Sequence, residues 1–103
     1  MSDALDADTL PASWTLRLYI AGRTPKSVTA LANLRRLCDA QLTGRYNLEV
    51  VDLVEHPERA RADQIVAVPT LVRRLPPPLK RIIGDLSNKD RVLIGLEIDP
   101  LGT

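Results

Sequence analysis

Phenylalanine is missing from this 103-residue chain, and Trp14, Tyr19 and Tyr46 are its only aromatic residues. Its core must therefore be aliphatic, and so few flat rings argue against a stacking platform for nucleic-acid bases. Cys38 is the one cysteine, which excludes an internal disulfide, and with His56 as the one histidine no ordinary Cys/His zinc site can form. Cys38 falls in a predicted helix, where a buried, inert thiol is the expectation. His56 precedes Pro57 at a turn and is expected to be exposed. The five glycines stand singly, so no glycine-rich phosphate cradle is present. Nothing sets a nucleophile beside a base and an orienting acid. No apolar run approaches the ~20 residues of a membrane span, and the first residues lack the basic-then-apolar layout of a secretory leader. The expectation from these absences is a cytoplasmic, non-enzymatic protein with no cofactor, no metal, no nucleic-acid partner and no membrane.

What is present suits one small globular domain: 45% apolar and 26% charged residues. Net charge is +1, but it is unevenly spread. Residues 1–13 carry Asp3, Asp6 and Asp8 and no base, so residues 14–103 hold 14 bases against 10 acids. Within 73–91 there are six bases and two acids. A basic stretch of this kind suits an acidic protein partner or a solvated face. The pattern divides the chain into a disordered acidic arm over 1–13, one domain over 14–99 and a short tail over 100–103.

Alternation in WTLRLYI predicts a strand over Trp14–Ile20, with Leu16, Leu18 and Ile20 on one face. Thr24-Pro25 opens a helix, threonine as N-cap and proline where a missing N–H costs nothing. Val28, Leu31, Leu34, Cys38 and Leu42 fall on its inner side, Lys26, Thr29, Asn33 and Arg36 on the outer, and Thr43-Gly44 ends it. Tyr46–Leu53 is a second strand, so the first half is a βαβ unit. Pro57 then opens a short helix over PERARADQI, Thr70–Leu75 is a strand broken by Pro76-Pro77-Pro78, and Leu79–Gly84 is its antiparallel partner. The last segment reads two ways. Ser87 with Asp90 three residues on is a helix opening, while Val92, Ile94, Leu96 and Ile98 alternate as in a strand. With a closing helix over Ser87–Leu96 the order is βαβαββα, an α/β fold of thioredoxin-like type. In that fold a cis proline precedes the third strand, and Pro69 of Val68-Pro69-Thr70 stands there. The turn Ala21–Pro25, where thioredoxins keep their redox cysteines, holds none. That argues against a residual thioredoxin-like enzyme and for a binding module.

The stretches LRLYIAGRTPKSVTAL and AVPTLVRRLPPPLKRIIGDLSNKDRVLIGL, with the spacing between them, resemble the KaiB family from about Leu16 to Leu96. The long, irregular run LPPPLKRIIGDLSNKDRVLIGL is the most specific part. The resemblance implies a metamorphic second half: a ground state ordered βαββααβ, assembled as a tetramer (a dimer of dimers), and an alternative βαβαββα thioredoxin-like monomer. It implies binding of the monomer to a KaiC-type ATPase ring in a circadian or timing system, with KaiA or a sensor histidine kinase among the competitors. A second reading is an adaptor in stress signalling through a KaiC homologue or a histidine kinase. Arg73, Arg74, Lys80 and Arg81 flank the triple proline as the strongest positive cluster, and Lys80-Arg81 matches a basic pair of the family. Arg23 and Lys26 lie beside the partner-facing turn. Gln64 stands where clock-type members often have lysine, and Glu97 where they tend to have aspartate. These six bases and Gln64 are the expected interface, with Pro69, Gly95 and Glu97 in the fold switch. Local terms explain why the segment wavers. As a helix it gains a cap worth ~1 kcal/mol. It loses about 1 kcal/mol at Gly95 and a few tenths at each of Val92, Ile94 and Ile98, residues that a strand favours.

Overall fold

The computed structural model describes residues 14–42 and 45–98. The acidic arm, the Thr43-Gly44 stop and the tail over 100–103 lie outside the described residues. Strand β1 (Trp14–Ile20) forms as its alternation predicts, and it sits inside a four-stranded sheet of order β2-β1-β3-β4. Helix α1 (Pro25–Gln41) carries the chain to β2 (Tyr46–Asp52), which pairs parallel to β1 with Leu18 opposite Val50. A 3-10 turn (Pro57–Arg61) leads to β3 (Thr70–Leu75), antiparallel to β1, and to β4 (Lys80–Ile83), antiparallel to β3. Helix α2 (Lys89–Leu96) closes the fold. This is the βαβ-turn-ββα order of a thioredoxin-like domain, with a cis peptide at Val68-Pro69. Cis bonds also occur at Leu75-Pro76 and Pro77-Pro78.

Because side chains alternate along β1, the sheet needs cover on both faces. Trp14, Leu16 and Leu18 meet Ala30, Leu34, Leu37 and Cys38 of α1 and Val92, Leu93 and Leu96 of α2 in the main core. On the other face Tyr19, Val51 and Val72 form a smaller cluster, covered by Leu53 and Ile65. The inner stripe of α1 differs from the expectation by a rotation. Ser27 and Ala30 lie inward, and Val28 is turned out, 53% exposed. Small side chains at 27 and 30 let this turn sit close on the sheet. The Thr24 hydroxyl makes no backbone cap; it donates to Ser27 Oγ (2.8 Å), which also accepts from the Ala21 N–H (3.1 Å).

Two further expectations need correction. The helix expected over PERARADQI is only the 3-10 turn, closed by Gln64 in the left-handed region (φ 55°). The Gln64 N–H returns to Arg61 O and the Ile65 N–H to Ala60 O (2.8 Å), which swings Ile65 onto the sheet. Ser87 does not cap α2. Asn88 does, its side chain accepting from the Arg91 N–H (3.0 Å), while the Ser87 N–H donates to Asp85 Oδ1 (3.0 Å). Residues 89–96 are thus helical here, with Val92, Leu93 and Leu96 inward and Ile94 77% exposed. Gly95 faces β4, and a Cβ there would stand 2.8 Å from Ile82 Cδ1. The helix ends with Glu97 in the left-handed region (φ 58°), its N–H returning to Ile94 O and the Ile98 N–H to Leu93 O (2.8 Å).

The two cap candidates separate by mutation. Asn88→Ala is expected to lower stability by about 1 kcal/mol in urea unfolding, and Ser87→Ala by less than half of that.

Candidate partner-binding surface

The carboxyl ends of β1 and β2 and the first turns of α1 enclose an open groove of about 630 Å³. Ile20, Val28 and Leu31 form its apolar floor, and Arg23, Arg35 and Glu55 are among the charged residues around it. Gly22 takes a left-handed conformation (φ 58°) at the turn, which suits glycine. Its N–H donates to Asp52 Oδ1 (2.9 Å), as does the Val54 N–H (2.9 Å). These two donors, Gly22 first, hold the Asp52 carboxyl below its usual range. The turn is therefore pinned to the end of β2, with Arg23 and Lys26 exposed beside it. The turn carries no thiol. Cys38 is buried well along α1, and burial, then Asp39, pushes its thiol pKa up to about 12. A thiol so protonated is a poor nucleophile at neutral pH.

The basic cluster expected around the triple proline does not form one surface, because adjacent strand residues point to opposite faces. Arg73 pairs in register with Leu16 on the helix-covered face and is buried there, its guanidinium 5.4 Å from the centroid of the Trp14 ring. The expectation that it meets a partner is corrected: in this fold it is a core residue. Arg74 lies on the other face and donates to the buried carboxylate of Asp63 (2.7 Å). Lys80 reaches Glu97 (3.2 Å). Arg81 is exposed and makes no ion pair among the described residues; with Arg91, Ile83 and Ile94 it borders a second groove, of about 560 Å³, beside edge strand β4. Gln64 is exposed at the left-handed position described above. Gly95 and Glu97 lie in and just after α2, and Pro69 is buried before β3.

Asp63 itself was not anticipated. Its Oδ2 accepts from the Tyr19 hydroxyl (2.8 Å) and from Arg17 (3.3 Å), and Arg17 and Arg59 both reach Glu49 (2.8 and 3.0 Å). The network fastens residues 57–65 to the sheet. Alternation puts Arg17 and Tyr19 on one face, but their partner lies 44 residues from Tyr19 in sequence, and no local pattern marks it. Burial alone would raise the Asp63 carboxyl pKa. Hydrogen bonds from Tyr19 and Arg74 outweigh it and hold the group below its usual range. Among the described residues no His/Cys/Asp/Glu group suits a metal ion, and no helix is long and apolar enough to cross a membrane.

A family model described as the KaiB domain matches residues 17–98. The chain is 51% identical over 87 residues to a circadian clock protein, KaiB3, of Synechocystis sp., covering 84% of this chain and 85% of that protein. It is 50% identical over 86 residues to the circadian clock oscillator protein KaiB of Prochlorococcus marinus, covering 84% of this chain and 72% of that one. In fold it is similar to the N-terminal domain of SasA from Synechococcus elongatus (TM-score 0.68, 22% identity, 86% and 88% covered). It is also similar to mitochondrial thioredoxin 3 of Saccharomyces cerevisiae (TM-score 0.66, 19% identity, 94% and 91% covered).

Asp63→Asn is expected to cost about 2–3 kcal/mol at neutral pH, because it takes the charge from two arginines. The sign follows from a lowered folded-state pKa. The stabilisation is fully present above the unfolded value of about 3.9 and is lost as pH falls from there through the folded value. Urea midpoints across acidic pH should fall less steeply in the variant than in the parent.

Proposed function

This chain belongs to the KaiB family, and on that premise we propose that it is a non-enzymatic regulator that binds a KaiC-type ATPase ring and modulates its cycle in a circadian or timing system. The observation that carries the reading is the state of residues 89–96. They are helical, which completes the thioredoxin-like form that the family resemblance assigns to partner binding. The cysteine-free turn before α1 supports a role in docking over one in thiol exchange. Arg23 and Lys26 beside the first groove, exposed Gln64, and Arg81 above the second groove offer positive or polar contacts to an acidic protein surface. Arg74 and Lys80 serve this surface less directly, since Asp63 and Glu97 already engage them.

In the same proposal the helical form is one of two packings, the other being the strand-ended homo-tetramer. Mass action favours the tetramer at high concentration, and a partner selective for the monomer draws the population back. KaiA, or a sensor-kinase domain of like fold, would meet the protein at the ring. Gln64, exposed where clock-type members often have lysine, favours a second reading as an adaptor in stress signalling through a KaiC homologue or a histidine kinase.

Size-exclusion co-migration with the KaiC-type ATPase of the same genome tests the first reading, and no complex with either ATP or ADP present would overturn it. Arg23→Glu is expected to weaken that complex at least tenfold while the far-ultraviolet circular dichroism stays unchanged. Gly95→Ala is expected to raise the helical population by at most about fivefold, read from backbone carbon chemical shifts, since alanine recovers about 1 kcal/mol in a helix but its Cβ would stand 2.8 Å from Ile82 Cδ1 and 3.1 Å from its Cγ1, so that side chain must shift.

A further inference from the structure

Arg73 is the least expected of the buried residues: a permanent charge, 3% exposed in its side chain, on the sheet face that holds the aliphatic core. Burying a guanidinium is unfavourable unless its donors are satisfied and its charge is balanced. Its Nη1 donates to the carbonyl of Leu96, and Nη2 donates to the carbonyl of Pro78 (2.8 Å). Glu97 brings a carboxylate oxygen to 3.9 Å from Nη2 and also pairs with Lys80, and the Trp14 ring lies under the guanidinium. Nε is left without a partner.

The Leu96 carbonyl is a particular acceptor. It is the last carbonyl of α2, at the negative pole of the helix dipole, where carbonyls have no partner within the helix. Glu97 closes the helix at φ 58°, a conformation that glycine adopts freely and that costs a side-chain-bearing residue about 1 kcal/mol. The terminus is thus strained, and the charge that offsets the strain reaches it from β3. That contact exists only while residues 89–96 are coiled and docked. In a strand, the Leu96 carbonyl no longer ends a helix over Arg73, and the guanidinium loses its main acceptor or must leave the core.

We propose that Arg73 is a clasp that holds residues 89–98 in the helical packing, and so regulates how much of the chain is in the partner-binding form. The regulatory half of this rests on the two-packing reading above; the clasp itself does not. The test is backbone amide hydrogen exchange on the full chain, comparing Arg73→Met with the parent. Amides of residues 93–98 are expected to lose at least tenfold in protection, while those of β1 and α1 change less than twofold. An equal loss in both regions would mark Arg73 as ordinary core packing and overturn the clasp, as would unchanged protection of 93–98. Should Arg73→Met fail to fold, Arg73→Lys keeps the charge and loses the fork. It is expected to show the same selective loss at smaller amplitude, and a uniform profile in it overturns the proposal. Carbon chemical shifts of the released segment separate the two layers of the argument. Strand-like values support both the clasp and the second packing, whereas coil values support the clasp and sink the two-packing reading.

Discussion

The fold depends on β1 lying inside the sheet with both of its faces in need of cover. A strand so placed buries Leu16 and Leu18 on one side and Tyr19 on the other, and no single helix can shield both. Helix α1 supplies the larger part of one cover, and it comes from the adjacent sequence. Everything else must be fetched from the second half of the chain. Residues 57–65 lie over Tyr19 and Val72, and α2 completes the shield over Leu16. The two covers are short, and each is fastened by charge as much as by apolar contact: Asp63 with Arg17 and Arg74 on one face, Arg73 with the end of α2 on the other. A core without phenylalanine gives such small elements little apolar area to bury, so polar fastening has a large share of the work.

This division explains how far the sequence could be read. In the first half, period-two alternation, a Thr-Pro helix start and a second alternating run each point to one structure, and β1 and β3 have the expected limits. The inner stripe of α1 departs from the hydrophobic pattern at Val28, because size as well as hydrophobicity decides what meets the sheet. It is the small Ser27 and Ala30 that approach the sheet. In the second half, elements of four to eight residues carry weak periodicity, and long-range partners set their ends. The total charge of the basic stretch over 73–81 conceals its arrangement, since strand alternation alone separates Arg73 from Arg74. Asp63 sits among alanine, arginine and glutamine in a segment that gives no local sign of burial.

Backbone strain is distributed in the same uneven way. Among the described residues, the non-glycine positions with positive φ are Gln64, Leu86 and Glu97, and all three fall in the second half. Each stands where one element gives way to the next: after the 3-10 turn, between β4 and α2, and after α2. At about 1 kcal/mol apiece they lower the stability of this arrangement by an amount comparable to the margins that decide between competing packings. The described residues of the first half have no such position.

Strand β3 adds a last property. Its four residues from Leu71 to Arg74, before the bulge that shifts Leu75 opposite Thr15, set Leu71 and Arg73 to one side and Val72 and Arg74 to the other, so both sides hold an aliphatic group and a guanidinium. Most half-buried strands resist sliding by a single residue, since the slip would carry oil into water and charge into oil. Over Thr70–Arg73 this one is buried on both sides. Translation along its neighbour would change which arginine answers which anchor while leaving the chemical character of either surface nearly constant, so hydrophobicity alone pins the register of β3 only weakly.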